Sequence, residues 1–202
     1  MTGHSRPPRW ADALLRLLLK PADRDSVSGD LLEAYRETIR PARGRWGADV
    51  WYLRQVAGFA WRMAWVWGVL LAAAVVARDT LDWWLSPTQE FYARSIASTA
   101  IAVSLFTWVG FVTAWRSRSI RAGALAGVMT GAISAAIVNL GSLVLLAIRH
   151  DPHTMTLIKA SGGLDEAFLL PWLVIVPGTL CATVGGVVGK TLAWSLRLLG
   201  AE

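Results

Sequence analysis

The sequence predicts an all-α membrane protein, a four-transmembrane-helix bundle preceded by a small N-terminal cytoplasmic helical domain. Three observations predict it. Hydrophobic residues make up 54% of the 202 residues and bunch into long apolar runs only after residue 62. Four of those runs approach the roughly 20 helical residues needed to cross about 30 Å of hydrocarbon. Basic residues, in contrast, crowd the N-terminal segment and one short loop, as they do beside the cytoplasmic ends of membrane spans. The expected division is a cytoplasmic domain over residues 1–55 and a transmembrane domain over 56–202, with spans at 59–77, 96–115, 123–148 and 169–189.

The N-terminal segment reads as short amphipathic helices separated by proline. PPRWADALLRLLL places Trp10, Leu14, Leu17 and Leu18 along one helix face, and its leading prolines suit helix initiation. Pro21 ends that helix. DRDSVSGDLLEAYRETI puts Val27, Leu31 and Tyr35 at i, i+4 and i+8, with acids toward its front and Arg36 and Arg40 toward its back. Pro41 and Gly44 are expected to stop it. WGADVWYLRQV then begins a helix with no breaker before the first span, so the two should form one rod of about 30 residues, roughly 45 Å. No cleavable signal peptide is expected, because this charged segment lacks a short apolar core near its start.

The first span is FAWRMAWVWGVLLAAAVVA from Phe59, and the second is IASTAIAVSLFTWVGFVTAW from Ile96, rich in Ala, Ser and Thr rather than Leu. The third opens with GALAGVMTGAISAAIVNLG from Gly123 and extends to Ile148, and the fourth is LLPWLVIVPGTLCATVGGVVG from Leu169. Pro171 and Pro177 should bend the fourth, since each removes a backbone donor and crowds the preceding turn. Broken helices line substrate sites in transporters, but a static kink near a helix entrance is the favoured reading.

Charge orients the bundle. Residues 1–62 carry 11 Lys or Arg, the loop 115–122 carries 3 and the tail 190–202 carries 2, whereas the loops 78–95 and 149–168 carry 2 each. That bias places both termini in the cytoplasm. Tryptophans agree, with Trp61, Trp115 and Trp194 at inner ends and Trp83, Trp84 and Trp172 at outer ends. The same distribution argues against nucleic acid as the partner of a chain with a net charge of +6.

Gly123, Gly127, Gly131 and Ala135 recur every fourth residue along the third span, with Asn139 one step further. Helices in lipid gain nothing hydrophobic by meeting, so they associate through close van der Waals contact and interhelical hydrogen bonds, which small residues permit. The fourth span repeats the device in Gly178, Ala182 and Gly186, flanked by Gly185 and Gly189. The two helices are expected to pack face to face, with self-association of two copies through the same groove as the competing outcome.

PPRWADALLRLLLKP, SGDLLEAYRE and WYLRQV, followed by a span, resemble the permease prefix domain of bacterial membrane proteins. The resemblance covers the N-terminal third of the chain and rests on Gly29-Asp30-Leu31 with Glu33, Tyr35 and Arg36, and on Trp51-Tyr52 with Arg54-Gln55. It implies a cytoplasmic helical module ahead of membrane spans, and it carries no catalytic residues. Longer relatives continue into a permease with a large extracytoplasmic domain. That pattern is not followed here, so transport activity does not transfer with the resemblance.

Other chemistry is thinly supported. TVGGVVGKT at 183–191 suggests a phosphate loop, but Val184 stands where the motif needs glycine and no strand precedes it. His150, Asp151 and His153 have metal-ligand chemistry but no second cluster, so a solvated turn is favoured. His4 stands far from them in the N-terminal tail. Cys181, the one cysteine, lies in an apolar run, which excludes an intrachain disulfide. Arg62 and Lys190 lie near span ends where their heads reach the interface. Asn139 suits an interhelical hydrogen bond.

The leading expectation is a non-enzymatic accessory or regulatory component of a membrane transport system, requiring no cofactor. Its partners are the lipid bilayer and a protein docked by Val27, Gly29, Asp30, Leu31, Glu33, Tyr35 and Arg36. The alternative is a small oligomeric transporter or channel with its path near the Gly/Pro-rich third and fourth spans.

Overall fold

A computed structural model describes residues 6–84, 91–148 and 163–198, and every element among them is helical. Helix α1 spans Arg9–Leu18, a 3-10 turn follows at Pro21–Asp23, and α2 covers Arg24–Glu33. A π-helical segment, Ala34–Ile39, leads into α3 at Arg40–Trp84. Then come α4 (Phe91–Ser117), α5 (Ile120–Ile148), α6 (Gly163–Leu173) and α7 (Ile175–Leu198). Four stretches are long and apolar enough to cross a membrane, lying in α3, α4, α5 and α6–α7.

Two expectations about the N-terminal helices need correction. Pro41 does not stop the second helix. The Arg40 N–H reaches back five residues to the Tyr35 carbonyl, and this widened turn carries the chain past a proline that has no N–H to give. The break falls at Gly44, whose φ of 68° and ψ of −179° are affordable only without a side chain. Beyond it α3 runs unbroken to Trp84, roughly 60 Å at about 1.5 Å per residue. The second correction concerns α1, which buries Ala11, Leu15 and Leu19 and leaves Trp10 61% exposed. Small Ala11 and Ala48 belong to the same buried cluster as Tyr52, so a face with a small residue in it packs against α3 and the tryptophan is turned out.

The chain folds back tightly between α4 and α5. Between α4 and α5 only Arg118 and Ser119 intervene. Arg118 takes a left-handed φ of 58°, and Ser119 opens α5, accepting the Ala122 N–H on Oγ at 3.4 Å and the Gly123 N–H on its carbonyl at 3.3 Å. Arg24 Nη2 donates to the carbonyl of Ser117, the last residue of α4, at 2.9 Å. The N-terminal helices therefore sit at the same end of the bundle as the α4–α5 turn, hereafter the proximal end.

Packing inverts the pattern of a water-soluble bundle. The buried residues of α7 are Gly178, Ala182, Gly185, Gly186, Gly189 and Ala193, while Val176, Leu180, Val184, Val188 and Leu192 face outward. Small inside and large outside is the arrangement lipid-solvated helices use. Gly127 leaves room for the Ala182 side chain, which would lie 2.5 Å from an added Cβ, and Gly131 does the same for Ile175 at 2.9 Å. That joins α5 to α7. Yet the small face of α7 serves α4 even more: a Cβ at Gly178 would enter the Phe106 ring, and one at Gly185 or Gly189 would strike the carbonyl of Thr107 or Phe111. Gly110 of α4 is seated just as tightly against the Ala182 carbonyl. The expected two-helix seam is thus a three-helix junction, and the Ala-rich second span stands at its centre.

The fourth span is divided just before Pro177, whereas Pro171 lies inside helix α6. Helix α6 ends at Leu173 and α7 begins at Ile175, with Val174 between them. Pro177 removes the donor that the Leu173 carbonyl would have used and sits in the first turn of α7, where its missing N–H costs least.

Candidate functional site

The N-terminal helices close over a buried cluster of Ala11, Leu15, Leu19, Tyr35, Ala48, Tyr52 and Val56. Tyr35 and Tyr52 meet edge to face, their centroids 6.0 Å apart. Each phenol finds a carboxylate: the Tyr35 hydroxyl donates to Asp49 Oδ1 at 2.6 Å and the Tyr52 hydroxyl to Asp12 Oδ1 at 3.1 Å. Asp12 also accepts from Ser28 Oγ at 3.1 Å and from Arg16 Nε at 3.2 Å, so one carboxylate ties α1, α2 and α3 together. Burial, and then the hydrogen bond and charge of Asp49, push the Tyr35 phenol up to about 12. Tyr52 is raised by burial first and by the Asp12 carboxylate second. Both phenols stay protonated donors at neutral pH.

This geometry divides the residues expected to dock a partner. Tyr35 is 1% exposed, and Val27 and Leu31 pack against the same cluster. Their side chains build the platform: Tyr35 is closed to a partner, whereas Val27 and Leu31 keep part of their surface open. Periodicity at i, i+4 and i+8 marks a buried face, and here the face is buried by the chain itself. Gly29, Asp30, Glu33 and Arg36 are exposed, and a Cβ at Gly29 would meet nothing within 4 Å.

One exposed residue carries no signal in the pattern of the chain. Trp46 is 82% exposed, just past the Gly44 break, between exposed Arg43 and Arg45 and the start of the α3 rod. Phe59 opens the first expected span, so Trp46 lies roughly 20 Å along the same helix from the hydrocarbon edge. The headgroup layer adds only about 5–8 Å on each side. A rod standing along the membrane normal, with its span starting at Phe59, would hold this indole clear of the bilayer.

Away from the platform, the Asn139 amide donates from Nδ2 to the Phe168 carbonyl at 3.1 Å, linking α5 to α6, and its Oδ1 is buried without a partner among the described residues. Residues 183–191 are continuous α7 helix with Gly185 and Gly189 committed to packing on α4, so no loop exists there to cradle a phosphate. Arg62 and Lys190 are exposed. His4, His150, Asp151 and His153 lie outside the described residues. Among the described residues no three His, Cys, Asp or Glu side chains gather as metal ligands.

Toward the end of the bundle opposite the N-terminal helices, the distal end, the long helices enclose a cavity of about 280 Å³. Its floor is the contact of Phe106 with Gly178, its far wall is the interrupted α6–α7 segment from Leu170 to Cys181, and Arg78 lines it near the end of α3. Below the floor the junction of Gly110, Gly123, Ala182 and Gly186 leaves no open space. No family model, curated protein or solved structure matches the chain.

Proposed function

We propose that the chain is a membrane-embedded adaptor of the bacterial inner membrane, with both termini in the cytoplasm, whose N-terminal helices dock a protein component of a membrane transport system. It performs no catalysis of its own in this reading. The observation that carries it is Trp46, exposed beside Arg43 and Arg45 at the start of the α3 rod. Tryptophan and arginine are the side chains that most often dominate protein interfaces. Asp30, Glu33 and Arg36 extend this surface with polar groups on a platform whose own core is already satisfied. The permease-prefix resemblance of the same segment supports a role beside a transport module.

The test is photo-crosslinking in native membranes from a probe at position 30 or 46, followed by mass spectrometry. Trp46→Ala combined with Glu33→Arg should abolish recovery of the partner while leaving membrane insertion intact. Undiminished recovery would overturn the docking surface, and end-specific tags reporting opposite faces would overturn the topology.

A transport path through an oligomer is the second reading, favoured by the distal cavity beside the proline-interrupted span. Its test is solute flux in liposomes, altered by Asn139→Leu.

A further inference from the structure

We propose that the distal cavity is a binding site for a single-chain anionic amphiphile, such as a fatty acid, taken sideways from the bilayer. The inference is independent of the docking surface and of any transport path. Four features of the cavity specify this occupant.

Its walls are hydrocarbon. Leu71, Val75, Phe106, Val138 and Val174 are among the apolar side chains that line it, and an apolar cavity of this kind takes apolar guests. Its size selects one chain. At about 280 Å³ it falls at the small end of ligand pockets, which run to roughly 300–1,000 Å³, and a two-chain lipid does not fit.

Its opening faces the lipid. Val103 lines the cavity and is 45% exposed, and Thr99, one turn away on α4, lines it and is exposed as well. Ile96, two turns before Val103 on the same face of α4, is also large, apolar and exposed, so this flank is a hydrocarbon-facing surface. Whatever enters beside Val103 arrives from the acyl layer. Toward the proximal end the cavity is closed, because Phe106 packs over Gly178 and Gly110, Gly123, Ala182 and Gly186 close on one another beneath it. The cavity is a blind pocket.

Its polar groups sit at one end. Arg78 is the one charged residue among the described residues lining it, in the last two turns of α3, and Ser98 and Thr99 lie in the first half of α4. The methyl end of a chain would lie against Phe106 and Cys181, with the head at Arg78, where a guanidinium pairs well with a carboxylate. Ser134, 5% exposed on α5, lines the pocket between these levels.

Cys181 supplies the readout, since it is the sole cysteine and lines the deep end. The full chain is placed in phosphatidylcholine nanodiscs, and the rate of Cys181 modification by methyl methanethiosulfonate is followed as dodecanoate or its methyl ester is added. Dodecanoate should slow the reaction several-fold and saturably, and the ester should need at least tenfold more. Ser134→Leu or Ala102→Phe fills the space, and either should abolish saturable protection while the melting temperature is retained. Arg78→Gln should erase the difference between acid and ester. An unchanged rate with dodecanoate, or equal slowing in both filled variants, would overturn the site. Equal potency of acid and ester on the native chain would overturn the anionic assignment.

Discussion

Arg24 donates from Nη2 to the Ser117 carbonyl at 2.9 Å and from Nε to the Leu19 carbonyl at 3.3 Å, so one guanidinium clasps the end of the α1 segment to the end of α4. The acceptor on α4 is a terminal carbonyl left without a helical donor, at the negative end of the helix dipole, where a cation is favoured. Charge-assisted hydrogen bonds of this kind contribute about 1.5–3 kcal/mol. Arg24→Ala should release the N-terminal helices from the bundle without unfolding them, seen as faster amide exchange over residues 9–33 and cleavage near Pro21. Arg24→Lys should rescue only partly, because a single ammonium cannot hold both carbonyls in the same fork.

Gly110 and Gly141 make a matched pair. A Cβ at Gly110 would collide with the Ala182 backbone, and one at Gly141 meets nothing within 4 Å. Gly110→Leu should lower the melting temperature in detergent sharply, by more than the roughly 1–3 kcal/mol typical of overpacking, because the obstacle is backbone. Gly141→Leu should be close to neutral. Gly127→Leu should resemble Gly110→Leu, since the Ala182 Cβ it meets is fixed to the backbone, and Gly131→Leu should fall between, since the Ile175 side chain can turn aside.

Tyr35 makes the platform sensitive to alkali. Its phenol titrates at about 12 in the folded chain against 10.0 when free, so folding favours the protonated form. The stabilisation is complete below pH 10.0 and is lost as pH rises toward about 12. An ultraviolet titration of tyrosinate should show delayed ionisation, with loosening of the N-terminal helices in step with it. Tyr35→Phe should remove that component and cost about 1 kcal/mol, because the Asp49 carboxylate loses its donor.

Thr130 is completely buried on α5, and its Oγ1 has no hydrogen-bond partner among the described residues. A buried hydroxyl without a partner destabilises the fold that holds it, so Thr130→Val should be neutral or stabilising by about 1 kcal/mol. The melting temperature in detergent reads this directly, and a loss would mean the hydroxyl has work to do.

Asp substitutions separate core from surface on the platform. Leu31→Asp and Tyr35→Asp should expose the N-terminal helices to proteolysis, since both positions pack on the buried cluster. Asp30→Arg and Glu33→Arg should leave the proteolytic pattern unchanged, because both residues stand in solvent.

Local spacing alone sufficed for much of this architecture. The glycines at 123, 127 and 131 and those of the fourth span stand at close contacts because a four-residue period already defines a helix stripe. Gly110 and Ala114 have the same spacing within the second span, but Phe111 and Trp115 on the other faces dilute the signal. Amphipathic counting weighs size and apolarity and so groups Trp10 with the leucines of α1, whereas the close approach of α1 to α3 selects Ala11.

Chain order by itself determined the number of long apolar helices, the break at Gly44 or its neighbour, and the crowding of arginine at one end, because each follows from the chemistry of adjacent residues. Only tertiary structure decided which face of each helix is spent on its neighbours. Tyr35 was consumed inside the platform, Trp46 was left in the open, and the proline-interrupted span stood far enough from α4 to leave a cavity. Residues distant in the chain choose among faces by fit, and fit depends on the shapes of all the helices at once.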